Sequence, residues 1–250
     1  MSETQCGTRL SHWMEDLANY ISSYPLHEIA LPGSHNSGAY ALSSDAAPGT
    51  PSVYRFIPGF VKRWSICQEH SVYDQLRCGA RYLDLRTART GESAAGSSDE
   101  LCLKVVHGLV GVGTLEVLQQ VRKFLDETTL EVVVVDFQHF YGLSADDHVR
   151  LAVEIERIFG AHAITKLEAA APLSDLWARH RRVLFLYGNT AFASTRPNFL
   201  VERTLAISSP WAGDGHTRDA VALKSFRAAL EAYMSSYMVG VRTPEVHLYI

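Results

Sequence analysis

"EVVVVDF" (Glu131–Phe137) sets four consecutive valines before an aspartate and a phenylalanine, and this run decides the fold class. β-Branched residues without polar alternation describe a strand covered on both faces, as in a parallel sheet with helices packed outside it. The flanking segments supply such helices. Thr114–Asp126 carries Leu115, Leu118, Val121 and Leu125 at helical spacing. On the other side, Ser144 with Asp147 makes a capping-box-like start, Leu151, Ile155 and Ile158 form the apolar stripe, and Gly160 suits the stop. "RVLFLYG" (Arg182–Gly188) repeats the buried-strand pattern. "ARYLDLRT" (Ala80–Thr87) instead alternates, with Tyr82, Asp84 and Arg86 on one face and Arg81, Leu83 and Leu85 on the other. "HEIALPG" (His27–Gly33) and "LCLKVVHG" (Leu101–Gly108) read as further strands, and a third helical pattern runs from about Thr217 to Met238. Strand–helix alternation of this kind predicts an α/β fold with parallel strands.

Five strands are legible, with a sixth in "EVHLYI" at the C-terminus. A closed (β/α)₈ barrel needs eight strands in typically ~250 residues. The expectation is therefore a distorted TIM-type barrel, incomplete at its C-terminus. It forms one domain over residues 10–250, without linker or repeat, in a chain that reads as truncated or altered at its end. Apolar residues make up 47% of the chain and charged ones 20%, which is enough apolar material for a large core. A net charge of −4 argues against a dedicated nucleic-acid binder. Cys6, Cys67, Cys78 and Cys102 show no metal-site spacing and read as free thiols of a reducing compartment. "MSETQCGTRLSHWMEDL" lacks the layout of a signal peptide, and no apolar run approaches the ~20 residues of a membrane span. These features point to a cytoplasmic protein that meets membranes only from the surface.

In a parallel barrel, the C-terminal ends of the strands converge on one mouth. That rule gathers His35, which follows "ALPGS", with Asp84 and Arg86 of the second strand and His107 at the end of the third. Asp136, Gln138 and His139 follow the fourth strand, and Tyr187 and Asn189 the fifth. Two imidazoles and a guanidinium suit phosphoryl transfer without a metal. One neutral imidazole takes a proton from the attacking hydroxyl, a second, protonated, gives one to the leaving oxygen, and the guanidinium stabilises the phosphate oxygens. "YRFIPGFVKRWS" (Tyr54–Ser65) interleaves aromatic and basic residues and fits either the packed barrel rim or a lip resting on an anionic membrane. His139 and the remaining histidines read as structural or surface groups.

"IALPGSHNS", "GARYLDLR", "VVHGL" and "EVVVVDFQHFYG", in this order, resemble the X domain of phosphatidylinositol-specific phospholipase C, most closely the group that contains only that domain. "VKRWSICQ", "LSDLWARHRRVLFLY" and "SSPWAG" extend the resemblance over Leu10 to Ser235. The resemblance implies cleavage of phosphatidylinositol to diacylglycerol and a cyclic inositol phosphate, with attack by the inositol 2-hydroxyl. It casts His35 as general base, His107 as general acid and Arg86 as phosphate ligand. Asp84 would orient Arg86 or serve only as its salt-bridge partner, and Tyr187, read from its place at a strand end, either contacts an inositol hydroxyl or closes the core. Arginine at position 86 resembles the metal-free bacterial enzymes and implies neither metal nor cofactor. Two departures bear on activity. Asn36 stands where close relatives have an aspartate supporting the acid histidine, and the sequence ends before a late aspartate that orients the base histidine. Asp136 is the candidate to compensate. The alternative is a catalytically weak or inactive truncated form that binds phosphoinositide headgroups or a partner. A metal-dependent glycerophosphodiesterase would begin with an HRG-type motif, absent here.

Overall fold

The computed structural model describes residues 10–50, 58–91, 101–195 and 198–203, and within them seven strands form one mixed sheet. The strands are β1 (Gly33–Ser34), β2 (Tyr82–Arg89), β3 (Leu103–His107), β4 (Leu109–Gly113), β5 (Val133–Tyr141), β6 (Val183–Tyr187) and β7 (Leu200–Glu202). The helices are α1 (Trp13–Asp16), α2 (Ala18–Ile21), α3 (Pro58–Ser65), α4 (Val72–Arg77), α5 (Thr114–Asp126), α6 (Ala145–Phe159), α7 (Leu173–Ala178) and α8 (Thr190–Thr195). The strand order is β4-β3-β2-β5-β6-β7, with β1 also paired to β2. Among the described residues this is a path with two ends, and closure into a barrel is not part of it. The pattern around Thr217–Met238, "SSPWAG" and "EVHLYI" lie outside the described residues.

β2 organises the sheet. One edge pairs in parallel with β5 from Tyr82 to Ala88. The other edge is shared: β1 takes Tyr82 and Leu83 in parallel, and β3 takes Thr87 to Arg89 antiparallel. Residues 84–86 lie in the seam between these two short partners. Here the structure corrects the sequence reading twice. The first strand is confined to Gly33–Ser34, because Leu26–Glu28 forms a 3₁₀ turn instead. The third strand runs antiparallel to its neighbour, as half of a hairpin with β4 that turns at Gly108, whose φ is +68°. At that φ glycine carries no steric cost.

Strand parity separates two cores. Leu83 and Leu85 of β2, Val133, Val135 and Phe137 of β5, and Val183, Phe185 and Tyr187 of β6 pack against Val117, Leu118, Val121 and Phe124 of α5 and Leu151, Ile155 and Phe159 of α6. Each such fully buried side chain contributes about 1.5–3 kcal/mol. The other face carries Tyr82, Val134, Leu184 and Leu186, covered by Met14, Leu26, Leu31 and Leu173. α6 begins with the expected capping box: the Ser144 hydroxyl accepts from the Asp147 amide and the Asp147 carboxylate accepts from the Ser144 amide at 2.8 Å. A bulge between Leu85 and Arg86 brings Arg86 opposite His139, so His139 joins the inner face and Phe140 stays with the outer one.

Beneath the sheet, Arg81 and Glu131 form an ion pair with neither side chain exposed. Arg81 also donates to the carbonyls of Leu76, Ala80 and Ser11, and Glu131 accepts from the Glu15 amide at 3.0 Å, which ties the N-terminal segment to β2. Cys67 and Cys102 are thiols, whereas Cys78 is disulfide-bonded. The expectation of four thiols therefore fails at Cys78, and with it the inference of a reducing compartment from cysteine usage. No helix among the described residues is long and apolar enough to cross a membrane.

Candidate active site

The turn after β1 is built to lie on the seam. The Ser37 amide donates to the Asp84 carbonyl at 2.8 Å, and the Asp84 amide donates to Ser37 Oγ at 2.9 Å. Asn36 takes a φ of +49°, a left-handed conformation that asparagine tolerates better than most residues. Gly38 passes so close to β3 that a Cβ there would stand 2.5 Å from Val105 Cγ1. "GSHNSG" is thus a fitted turn, and it delivers His35 to the middle of β2.

His35 Nδ1 lies 2.8 Å from Asp84 Oδ2, with the imidazole 62% exposed and the carboxylate buried. Asp84 Oδ2 also accepts the Asn36 amide at 3.2 Å, while Oδ1 is buried without a partner. Burial alone would push the Asp84 carboxyl up. The His35 and Asn36 hydrogen bonds and the Arg86 charge outweigh it and hold the group below its ordinary 3.8. Asp84 is therefore ionised and fixes the proton of His35 on Nδ1, leaving Nε2 able to accept one. The sequence reading paired Asp84 with Arg86; the structure shows its hydrogen bond going to His35, the orienting role that had been looked for in a later residue.

The antiparallel register of β2 and β3, continued beyond Val105, brings the end of β3 level with Leu85 and Arg86. His107 reaches the seam by this route rather than by the convergence of parallel strands. Its Nδ1 donates to the Ser65 carbonyl at 2.8 Å, and Cys67 Sγ lies 3.3 Å from the same nitrogen. Burial holds His107 below its ordinary 6.5. The Ser65 bond opposes that shift, and the Arg86 charge adds to it. Arg86 is half-buried, and its Nε is buried with no hydrogen-bond partner. The electrostatic influence of Arg86 on both Asp84 and His107 places the four groups in one cluster.

Asn36 does not support His107. Its side-chain amide donates to Cys67 Sγ at 3.5 Å, and its Oδ1 is buried without a partner. Asp136 pairs in register with Asp84 on the inner face, but it is fully buried and contacts neither histidine. It accepts from Tyr82 Oη at 2.7 Å and from Arg203 Nε at 2.9 and 3.0 Å. Burial pushes its carboxyl up to about 6 against the pull of Arg203 and Tyr82. Tyr187 is not brought to the cluster. It is fully buried on the helix side of the sheet, where its hydroxyl meets His148 Nδ1 at 2.7 Å among Phe137, Phe140 and Phe192. Asn189 joins the same group through His148 Nε2 at 3.0 Å. The reason is register: Asp136 pairs with Leu186, so Tyr187 takes the opposite face.

Sequence reasoning missed the segment that holds the histidines from outside. Besides the Ser65 carbonyl, Gln68 Nε2 donates to the His35 carbonyl at 2.8 Å, and the amides of Cys67 and Gln68 both donate to the Ala39 carbonyl. The only available signal was the inclusion of these residues in "VKRWSICQ". Among the described residues no three His, Cys, Asp or Glu side chains gather as metal ligands. The arrangement places two imidazoles, each hydrogen-bonded at Nδ1, in one cluster with a guanidinium whose Nε has no hydrogen-bond partner among the described residues.

The chain is 27% identical over 245 residues to PI-PLC X domain-containing protein 2 of Homo sapiens, covering 94% of this chain and 78% of that protein. It is 30% identical over 224 residues to the variant-surface-glycoprotein phospholipase C of Trypanosoma cruzi, covering 82% of this chain and only 57% of the relative. The chain thus spans little more than half of the trypanosome protein. Among solved structures, the phosphatidylinositol-specific phospholipase C of Listeria monocytogenes superimposes with a TM-score of 0.62 at 17% identity, covering 96% of this chain and 77% of that one. At that identity the likeness speaks to fold alone. No protein-family model matches the chain. Sequence similarity and sheet architecture agree: the curated relatives of this chain include PI-PLC X domain-containing proteins, the family that its motifs resemble.

Proposed function

We propose that this protein is a phosphoric diester hydrolase of the phosphatidylinositol phospholipase C type, working by two-histidine acid–base catalysis without a metal or other cofactor. His35, with Nδ1 held by Asp84, takes the proton of the inositol 2-hydroxyl on Nε2 as that oxygen attacks phosphorus. Arg86 binds the non-bridging oxygens. Protonated His107 gives its Nε2 proton to the departing diacylglycerol oxygen. The products are diacylglycerol and a cyclic inositol phosphate. Each acid–base role is worth ~10²–10⁴-fold. One observation carries this reading: the buried Arg86 Nε is unpartnered beside two imidazoles already fixed at Nδ1. An anion is the partner such a buried donor lacks.

The surface next to the site suits a lipid substrate. Trp64 is 75% exposed and Ile66 39% exposed, beside Lys62 and Arg63 in the last turn of α3. Apolar and basic groups together favour contact with an anionic bilayer. Of the stretch offered for this lip, Tyr54–Ile57 lies outside the described residues. The chain would then act as a peripheral protein at a membrane surface. The test is hydrolysis of phosphatidylinositol in mixed micelles containing a chelator, comparing the wild type with His35→Ala and His107→Ala, each checked for folding by near-ultraviolet circular dichroism. The expected result is metal-independent release of diacylglycerol that falls ~10²–10⁴-fold in both variants. Full activity in either variant refutes the assignment, and headgroup binding by an inactive but folded wild type identifies a binding module instead.

A further inference from the structure

Gln68 takes no part in the reaction outlined above, yet it grips the peptide from which the base histidine hangs. It lies half-buried three residues beyond α3, and its Nε2 donates to the His35 carbonyl at 2.8 Å. We propose that Gln68 is a positioning residue for His35, one that locks the 35–36 peptide group in the orientation that the His35–Asp84 pair requires. The effect on turnover rests on the reading of His35 as general base; the effect on the peptide does not.

The His35 imidazole is 62% exposed and leans on Asp84 Oδ2 through Nδ1 at 2.8 Å, so packing does little to aim it. Its aim depends on the backbone beneath. There, one peptide group is held at both ends. The His35 carbonyl accepts from Gln68, and the Asn36 amide of the same group donates to Asp84 Oδ2 at 3.2 Å, the oxygen that also takes the His35 ring. The arrangement keeps Asn36 at a φ of +49°, a conformation that persists only where its surroundings enforce it. Turning the 35–36 peptide over, by rotating ψ at 35 together with φ at 36, relieves that conformation. The same turn swings the Asn36 amide off Asp84 and the His35 carbonyl off Gln68. The Gln68 bond therefore opposes the turn at the end of the peptide that Asp84 does not reach.

Gln68 is itself anchored. Its backbone amide and that of Cys67 donate to the carbonyl of fully buried Ala39 at 3.2 and 3.0 Å. Residues 67 and 68 thus strap the turn at both of its ends, His35 and Ala39. The same short stretch carries the Ser65 carbonyl that accepts from His107 Nδ1 at 2.8 Å, so base and acid are referred to one piece of backbone. The clasp depends on a donor at the tip of the side chain. Gln68→Glu, equal in size, sets a carboxylate oxygen against the carbonyl oxygen and turns the bond into a repulsion.

The experiment compares the full chain with its Gln68→Ala and Gln68→Glu variants and reads three quantities. Hydrogen exchange reports on the peptide directly. Protection of the Asn36 amide should fall at least about tenfold in both variants, while that of the Ser37 amide, bonded to the Asp84 carbonyl at 2.8 Å, stays within about twofold. In heteronuclear NMR the His35 ring signals should shift and those of His107 should hold, because the backbone bonds to Ala39 survive both substitutions. In mixed-micelle hydrolysis of phosphatidylinositol, kcat should fall about 10–10²-fold, further in Gln68→Glu than in Gln68→Ala, with KM changed by less than about twofold. Added to His35→Ala, Gln68→Ala should cost no more than about twofold. Unchanged Asn36 exchange, or a loss of turnover that adds in full to His35→Ala, overturns the proposal. Equal loss of protection at Ser37 and Asn36 overturns it as well, by making Gln68 a general support of the fold. If the wild type hydrolyses nothing, the functional reading fails by itself, and the exchange and ring signals still decide what Gln68 does.

Discussion

Asp84→Asn tests the centre of the site with almost no change of shape. In the native protein one oxygen, Oδ2, takes both the His35 Nδ1 proton at 2.8 Å and the Asn36 amide at 3.2 Å, while Oδ1 is buried and bonds nothing. The asparagine can seat its amide two ways. With its oxygen in the Oδ2 position, both bonds survive, the negative charge is gone and an NH₂ is stranded where Oδ1 was. With its NH₂ there, His35 must offer a bare Nδ1, so its proton moves to Nε2, the atom needed as base. A fully buried triad loses about 10⁴-fold in kcat from the second outcome. The His35 ring is 62% exposed, so solvent screens part of the lost charge and the neutral bond remains accessible. We therefore expect a loss of about 10²–10⁴-fold in kcat, or about 3–5.5 kcal/mol at 1.36 kcal/mol per tenfold. The assay is mixed-micelle hydrolysis of phosphatidylinositol, with urea unfolding to show the variant is folded. Asp84 also supports the charged form of His107, so the basic limb of the pH–rate profile should move down in the variant. The decisive comparison is made in a His35→Ala background. If Asp84 acts through His35, adding Asp84→Asn there costs no more than about twofold. A variant within about tenfold of wild type, or a loss that adds in full to His35→Ala, would sink the assignment.

Three other expectations follow from the geometry. Tyr187→Phe should leave turnover unchanged yet cost about 1–3 kcal/mol in urea unfolding, because it strips His148 Nδ1 of its partner at 2.7 Å; a loss of activity without loss of stability would restore Tyr187 to the substrate. Arg81→Met should destabilise the fold by about 3–5 kcal/mol, since it leaves Glu131 charged and wholly buried, and a cost below about 1 kcal/mol would show the pair to be dispensable. Asp136 has a folded value raised from 3.8 to about 6, so the folded state binds more protons than the unfolded one between those limits. The contribution of Asp136 should accordingly fall as pH rises from 3.8 to about 6, read as the difference in stability between wild type and Asp136→Asn so that the histidines lowered by burial cancel; a difference that grows in the opposite sense would refute the burial argument. Asp84, held below 3.8, acts in a lower window, its contribution being lost only as pH falls further.

Much of the scaffold was legible because its signals were local. The periodicity of Thr114–Asp126, the Ser144/Asp147 cap and the alternation of "ARYLDLRT" are each set by a few neighbouring residues, and the structure follows them. What escaped depends on register. "VLFLY" is apolar throughout, so nothing in it reveals that Tyr187 turns outward; that follows from the pairing of Asp136 with Leu186. β4 escaped because "LVGVG" looks like a loop. Its glycine at 111 is needed where a Cβ would stand 2.9 Å from the Val105 carbonyl, a contact visible only once the hairpin is folded. The antiparallel course of β3 escaped for the same reason, and so did the Cys78 bridge. His35 and His107 were found through a convergence rule that holds for the first and not for the second.

That misapplied rule points to where the site resides. His35, Asp84, Arg86 and His107, with the Ser65 carbonyl and Gln68 that steady them, all fall between residues 35 and 107. They meet where β2 passes from β1 to β3 along one edge, and the seam exists because β1 is two residues long and β3 pairs only from Thr87 onward. A longer β1 would pair with residues 84–86 and displace the Ser37 turn that carries His35. A longer β3 pairing would push His107 past Arg86. Among the described residues, Asp136 of β5 and Arg203 beyond β7 pair with each other beside Tyr82, and neither hydrogen-bonds an imidazole. Among the described residues, His35, Arg86 and His107 are thus brought together by the mismatch in length of two strands on one edge.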